Sequence, residues 1–150
     1  LVGRLSLLTA LALTLNCATA PLDARGFFTR FALPAKPTIL LISPTWSDRG
    51  LAMLELLRDV KDEQSQLQVV MVVLDDLPVK AWRVAAAALK VPGEVRRGEG
   101  LGLDAAPFGP VKEVPLLYWV TREERVFQRA VGFIPRKQLV AETRRFMERD

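Results

Sequence analysis

The chain has 150 residues, of which 50% are hydrophobic and 25% charged, with a formal net charge of +4 at pH 7. This length and balance predict one globular domain with a real hydrophobic core, and they argue against a disordered or low-complexity chain. The sequence has no histidine and one cysteine, Cys17, so a disulfide within the chain is excluded. Without those side chains we expect no metal site, no cofactor and no histidine-based catalysis.

The basic and acidic residues, 21 and 17 in number, are mixed along the chain. Residues 122–125, for example, read Arg-Glu-Glu-Arg. A nucleic-acid-binding domain would need a continuous basic stripe that follows the phosphates. The sequence therefore predicts no nucleic-acid partner.

The first 20 residues have the organisation of a secretory signal peptide. Arg4 gives a positive flank, an apolar run follows from Leu5 to Leu15, and small residues lead to Ala20. The run is shorter than the roughly 20 residues that a membrane-spanning helix needs. We therefore expect a signal peptide over residues 1–20 and a periplasmic or secreted protein of the bacterial envelope. An uncleaved signal that anchors the chain in the membrane is the alternative.

Cys17 directly follows the apolar run, which is where bacterial lipoproteins carry their lipidated cysteine. Such sites usually have a small residue before the cysteine, whereas Asn16 stands there in this chain. Lipidation at Cys17 would attach the protein to a membrane. Cleavage after Ala20 would instead leave a mature protein without any cysteine, and the sequence leaves both outcomes open.

Residues 21–36 combine proline, glycine and charged residues with an apolar patch formed by Phe27, Phe28 and Phe31. Burying three phenylalanines is strongly favourable, so a free linker is not expected to carry them. We predict a lead-in segment that packs onto the domain, which itself covers residues 37–150.

The domain begins with the pattern of a βαβ unit. Two short apolar runs predict buried strands at Thr38–Ser43 and Leu67–Leu74. The stretch between them has apolar residues at helical spacing and predicts a helix at Asp48–Gln64. Asp75 and Asp76 follow the second strand. We expect these two carboxylates to cap the turn into the next helix.

Another helix, a hairpin and a last helix complete the predicted order. Prolines bound a helix over Val79–Lys90, and the glycine-rich segment Val91–Glu113 is expected to be irregular apart from one helical turn near residues 104–108. The hairpin strands and the final helix are predicted at Leu116–Thr121, Val126–Val131 and Pro135–Glu148. Trp82 and Trp119 lie in apolar contexts and are expected in the core.

Two stretches of the domain resemble segments of TlpA-type periplasmic thioredoxins, and the predicted order of strands and helices is also that of the thioredoxin fold. In Lys36–Leu57 a lysine–proline pair opens the first strand, and Trp46 stands where that family has a tryptophan before its Cys-x-x-Cys motif. In Glu113–Val140 the pair Val114–Pro115 opens the hairpin, and a glycine follows the last strand. The resemblance implies the thioredoxin-like α/β fold: a central mixed sheet of four or more strands, flanked by helices, with a hairpin after a cis-proline.

The motif itself departs from the family. Ser47 occupies the place of the first cysteine and Gly50 that of the second, so the motif reads Ser47, Asp48, Arg49, Gly50. In the family the first cysteine attacks as a thiolate and the second resolves the mixed disulfide. A serine hydroxyl stays protonated, and no histidine is present to activate it. We therefore expect no thioredoxin-type oxidoreductase activity and no catalytic residue, with Ser47 or Asp48 capping the helix.

The resemblance also implies a peptide-binding surface. In the family the residue before the cis-proline pairs its backbone with an extended peptide, and here Trp46, Ser47, Val114 and Pro115 would form that surface. The predicted function is an exported, redox-inactive module that binds an envelope protein or peptide. The alternative is a protein related to thiol-disulfide oxidoreductases with a residual or partner-dependent redox role, which would depend on Cys17.

Overall fold

The computed structural model describes residues 22–149. The predicted signal peptide, the cleavage after Ala20 and the lipidation at Cys17 lie outside the described residues. Within the described part of the chain, no helix combines the length and the apolar character needed to cross a membrane.

Residues 22–149 form six strands and four helices. The strands are β1 (Leu22–Asp23), β2 (Thr38–Ser43), β3 (Gln68–Val73), β4 (Glu94–Arg97), β5 (Leu116–Val120) and β6 (Arg125–Val131). The helices are α1 (Phe27–Phe31), α2 (Asp48–Glu63), α3 (Val79–Leu89) and α4 (Arg136–Arg149).

All six strands belong to one mixed sheet in the order β1-β6-β5-β2-β3-β4. Strands β2, β3 and β4 run parallel, whereas β5 is antiparallel to β2, and β6 is antiparallel to both β5 and β1. Every residue of β2 is buried, because this strand lies inside the sheet and both of its faces are covered. Its continuous apolar sequence follows from that position.

Helices α2 and α4 cover one face of the sheet. Met53, Leu54 and Leu57 of α2 and Phe146 of α4 pack there against alternate residues of the strands, such as Trp119. The indole of Trp119 is fully buried, and its Nε1–H donates to Thr143 Oγ1 of α4 at 3.2 Å. Trp82 of α3 is only half-buried at the border of this core, so its predicted core position is correct only in part.

The lead-in segment covers the opposite face, as expected. Phe27, Phe28 and Phe31 of α1 are buried there. The rings of Phe27 and Phe31 lie 5.5 and 5.7 Å from that of Phe108, whose ring in turn contacts Tyr118 edge-on at 5.1 Å. The described part of the lead-in segment is therefore an integral layer of the domain.

The segment between α3 and β5 is more ordered than predicted, because it contains β4. This strand pairs in parallel with β3, with Val70 opposite Glu94 and Val73 opposite Arg97. Arg96 ties it to the lead-in segment, since its guanidinium donates to the carbonyl oxygens of Phe31 and Ala32 at 2.8 and 3.0 Å. The helical turn predicted near residues 104–108 is not a helix in the structure: the chain forms a non-helical turn there, in which the Gly109 amide donates to the Ala105 carbonyl at 2.8 Å.

Burial raises the pKa of Tyr118, the one tyrosine of the chain, while the nearby Arg129 opposes this shift by stabilising the phenolate. The unfolded chain would lose the phenolic proton near pH 10 and the folded chain only at higher pH. Folding stability should therefore fall as pH rises above about 10.

The absorbance of tyrosinate measures this titration directly. We expect its midpoint in the folded protein to lie above that in denaturant, and Arg129→Met to raise it further. Tyr118→Phe should remove this part of the pH dependence and cost about 1 kcal/mol, because the hydroxyl donates to the Phe108 carbonyl at 3.1 Å. Equal midpoints in the folded and unfolded chain would contradict the burial of this hydroxyl.

Candidate functional site

The segments singled out by sequence meet at one edge of the sheet. Ile42 of β2 pairs with Leu116 of β5, so the chain leaving β2 toward Trp46 and the chain entering β5 through Pro115 lie at the same edge. The segment after β6 joins them, since the Gly132 amide donates to the Pro115 carbonyl at 2.8 Å. We call this region the motif edge: residues 44–50, 114–115 and 132–133.

Ser47 caps α2, as predicted. Its backbone is extended, and its Oγ accepts a hydrogen bond from the Gly50 amide at 3.1 Å. The side chain is 8% exposed, so the hydroxyl faces inward, and Ser47 would shape a binding surface mainly through its position in the backbone. Asp48 and Arg49 in the first turn are exposed, and the Asp48 carboxylate complements the positive end of the helix dipole.

Gly50 lies directly against the end of β2. A Cβ atom at this position would come within 2.0 Å of Ser43 Oγ and 2.9 Å of Ser43 Cβ. Position 50 therefore has no room for a side chain unless Ser43 shifts. Sequence analysis did not identify Ser43; the available signal was a polar residue at the end of an otherwise apolar strand.

Trp46 is 74% exposed, in contrast to the buried Trp119. The preceding residue, Thr45, is held by Asp75: its amide donates to Asp75 Oδ1 at 2.7 Å, and its hydroxyl donates to Asp75 Oδ2. The prediction that Asp75 caps the turn into α3 is therefore wrong. The N-cap of α3 is Pro78, and no side chain forms a hydrogen bond there.

Val114 and Pro115 stand at the entry to β5. The peptide bond between them is cis. Pro115 is buried and Val114 is half-buried. The amide and carbonyl of Val114 form no hydrogen bond with other residues of the 22–149 segment.

Phe133 is a further exposed aromatic residue at the motif edge that sequence analysis missed. Its side chain is 45% exposed and lines an open groove of about 490 Å³ together with Asp48, Arg49 and Ala52. The signal in the sequence was its position directly after Gly132. In the structure, Gly132 has a positive φ of 79°, and the chain bends back toward Pro115. Trp46 and Phe133 thus give this edge two solvent-exposed aromatic side chains.

The motif residues Ser47, Asp48 and Arg49 carry a hydroxyl, a carboxylate and a guanidinium group. Ser47 Oγ already accepts a hydrogen bond, and no thiol is present among the motif residues. No group of three or more histidine, cysteine, aspartate or glutamate side chains that could hold a metal ion occurs between residues 22 and 149.

No protein-family model and no curated sequence matches the chain. Solved structures do. The exposed lipoprotein thioredoxin Etrx1 of Streptococcus pneumoniae strain TIGR4 aligns with a TM-score of 0.62 and 14% identity over 83% of this chain and 96% of that one. A thiol:disulfide interchange protein of the thioredoxin family from Chlorobium tepidum TLS gives a TM-score of 0.60 and 10% identity over 73% and 79%.

A secreted disulfide oxidoreductase of Mycobacterium tuberculosis, homologous to E. coli DsbE, gives a TM-score of 0.57 and 13% identity over 75% of this chain and 84% of that one. At these identities the likeness concerns the fold. The chain has the thioredoxin-like fold, and the predicted fold class is confirmed.

The contact between Gly50 and Ser43 yields a stability prediction. In an unrestricted helix, Gly→Ala stabilises by up to about 1 kcal/mol. Here we expect Gly50→Ala to destabilise the protein by about 1–3 kcal/mol, because the added methyl group overlaps Ser43. Urea unfolding measures the difference.

The matched control is Ser43→Gly, alone and combined with Gly50→Ala. In the Ser43→Gly background, Gly50→Ala should cost much less or become favourable. Simple additivity of the two substitutions would show that the two residues do not touch.

Proposed function

We propose that this chain is an exported protein- or peptide-binding module that performs no thiol-disulfide exchange. The observation that carries the proposal is the contrast at the motif edge. Both sulfur positions are filled by other residues, Ser47 as a helix cap and Gly50 against Ser43. The neighbouring surface nevertheless keeps exposed aromatic side chains and a free backbone segment at Val114.

The absence of sulfur at the motif argues against exchange chemistry. Exchange needs a thiolate that attacks a disulfide sulfur and a second thiol that resolves the product. Ser47 supplies an alcohol, and position 50 cannot carry a resolving side chain without displacing Ser43. The single thiol of the sequence, Cys17, precedes the domain.

The features of the motif edge suit an extended peptide. A strand laid along Val114 would gain main-chain hydrogen bonds from its amide and carbonyl. Trp46 on one side and Phe133 on the other would contact the peptide side chains, and large aromatic residues are typical anchors at such interfaces. Ser47 and Pro115 would support this surface from below, as buried parts of its backbone.

We base the proposed partner and the proposed cellular location on the N-terminal sequence. A signal peptide over residues 1–20 would direct the domain to the periplasm or the cell exterior, so the partner would be an envelope protein or peptide. An uncleaved signal or a lipid on Cys17 would keep the domain at the membrane.

The absence of exchange is tested by insulin reduction with dithiothreitol as the electron donor. We expect the wild-type chain and Cys17→Ser to give the uncatalysed rate, because neither has a thiol at the motif. Turnover that persists in Cys17→Ser would overturn the proposal. Turnover that the wild-type chain shows and Cys17→Ser lacks would support the alternative, a partner-dependent redox role.

The binding surface is tested by photo-crosslinking in the producing cell. A benzoylphenylalanine at position 133 replaces an exposed aromatic residue without disturbing the α2 cap. A matched probe at Arg144, exposed on α4, reports background. We expect a recurrent adduct from position 133. Adding Trp46→Ala to the same probe-bearing chain should reduce that adduct. Equal adducts from both positions would argue that the motif edge binds nothing specific.

A further inference from the structure

Asp75 links the end of β3 to the loop that carries Trp46. Strand β3 lies beside β2, with Val73 opposite Ser43, and the Leu74 amide donates to the Ser43 carbonyl at 3.3 Å. The chains leaving these strands therefore run side by side. This places the half-buried Asp75 carboxylate against Thr45 although 30 residues separate them in sequence.

We infer that Asp75 is a positioning residue that, through Thr45, holds the loop backbone that presents Trp46 for binding. The inference rests on the proposed function for its purpose, whereas its geometry stands independently. One carboxylate oxygen accepts from the Thr45 amide and the other from the Thr45 hydroxyl. Two charge-assisted hydrogen bonds from one planar group fix both the backbone and the side chain of Thr45.

Asp75 joins this loop to the end of the neighbouring strand β3, whereas the other hydrogen bonds of the loop are local: Ser43 Oγ donates to the Pro44 carbonyl at 3.0 Å, and the Gly50 amide to Ser47 Oγ at 3.1 Å. Between β2 and α2 the other backbone hydrogen bond is from the Ser47 amide to the Pro44 carbonyl, at a long 3.4 Å. The Trp46 indole forms no hydrogen bond or ring contact within residues 22–149. The described hydrogen bonds therefore position Trp46 through its backbone, which directly follows Thr45, the residue that Asp75 holds.

A fixed loop backbone before Trp46 matters because Trp46 is 74% exposed. An exposed indole on a mobile loop would lose conformational freedom when a partner binds, and that loss weakens binding. A loop backbone held in advance by Asp75 avoids the backbone part of this loss. Asp75 thus acts on binding through Thr45 and Trp46 without touching the partner.

The first test follows Trp46 itself by fluorine NMR of protein labelled with fluorotryptophan. The chain has three tryptophans, so Trp82 and Trp119 serve as internal references, and Trp46→Phe assigns the third resonance. Asp75→Ala should broaden, split or shift the Trp46 resonance while leaving that of the buried Trp119 in place. Asp75→Asn should retain the wild-type spectrum, because an amide can accept from the Thr45 amide and donate to its hydroxyl.

Asp76→Ala is the matched control. Asp76 is the next residue and is exposed, and it forms no side-chain hydrogen bond within the described chain. Its removal should leave all three resonances unchanged. A Trp46 resonance that is the same in Asp75→Ala as in the wild type would overturn the inference, as would an effect of Asp76→Ala as large as that of Asp75→Ala.

The second test measures binding, with reduced and carboxymethylated lactalbumin as the unfolded probe chain. Asp75→Ala should raise the Kd roughly three- to tenfold, the range expected when a large side chain must be ordered on binding. The effect should vanish in the Trp46→Ala background. An equal effect there would overturn action through Trp46.

The two proposals fail separately. If the wild-type chain does not bind the probe, the proposed peptide binding is contradicted. The fluorine spectra still decide whether Asp75 holds the loop that carries Trp46.

Discussion

The first turn of α2 lies directly on the last residue of β2, and the arrangement of the motif edge depends on this contact. Ser43 cannot retreat, because β2 is an interior strand paired with β3 and β5. Helix α2 can approach it only through a residue without a side chain, and Gly50 is that residue. Ser47 then completes the junction by accepting the Gly50 amide. Ser47 and Gly50 therefore both have a structural role at this junction, and each depends on the other.

A second constraint is the aromatic layer on the opposite face of the sheet. Between β4 and β5 the described chain has no helix, and the face is closed by Phe108 together with the phenylalanines of α1. Arg96 fastens α1 to the edge strand β4 by donating to two of its terminal carbonyl oxygens. Because Tyr118 of β5 packs in the same layer, the lead-in segment supports the strand that follows Val114 and Pro115. The stability of the motif edge is thus coupled to a segment far away in sequence.

The regular parts of this fold could be predicted from sequence because local patterns encode them. The apolar run of β2 and the helical spacing in α2 gave bounds within a residue or so of those in the structure. Strand β4 was missed because an edge strand with a single apolar residue, Val95, lacks any hydrophobic pattern. The partners of Ser43 and Asp75 were missed for a different reason. Contacts across neighbouring strands depend on register, which one sequence does not specify.

Thiol exchange and the peptide binding that we propose would use different groups of the motif edge. Exchange depends on two sulfur atoms at the start of one helix, so two substitutions remove it. The groups that would hold a peptide lie elsewhere: a backbone segment at Val114, the Trp46 indole, and the phenylalanine after Gly132. None of them uses the replaced side chains, and all are positioned by strands whose pairing the fold requires. The contact between Gly50 and Ser43 does not involve these groups, so the binding that we propose is independent of the side chains at positions 47 and 50.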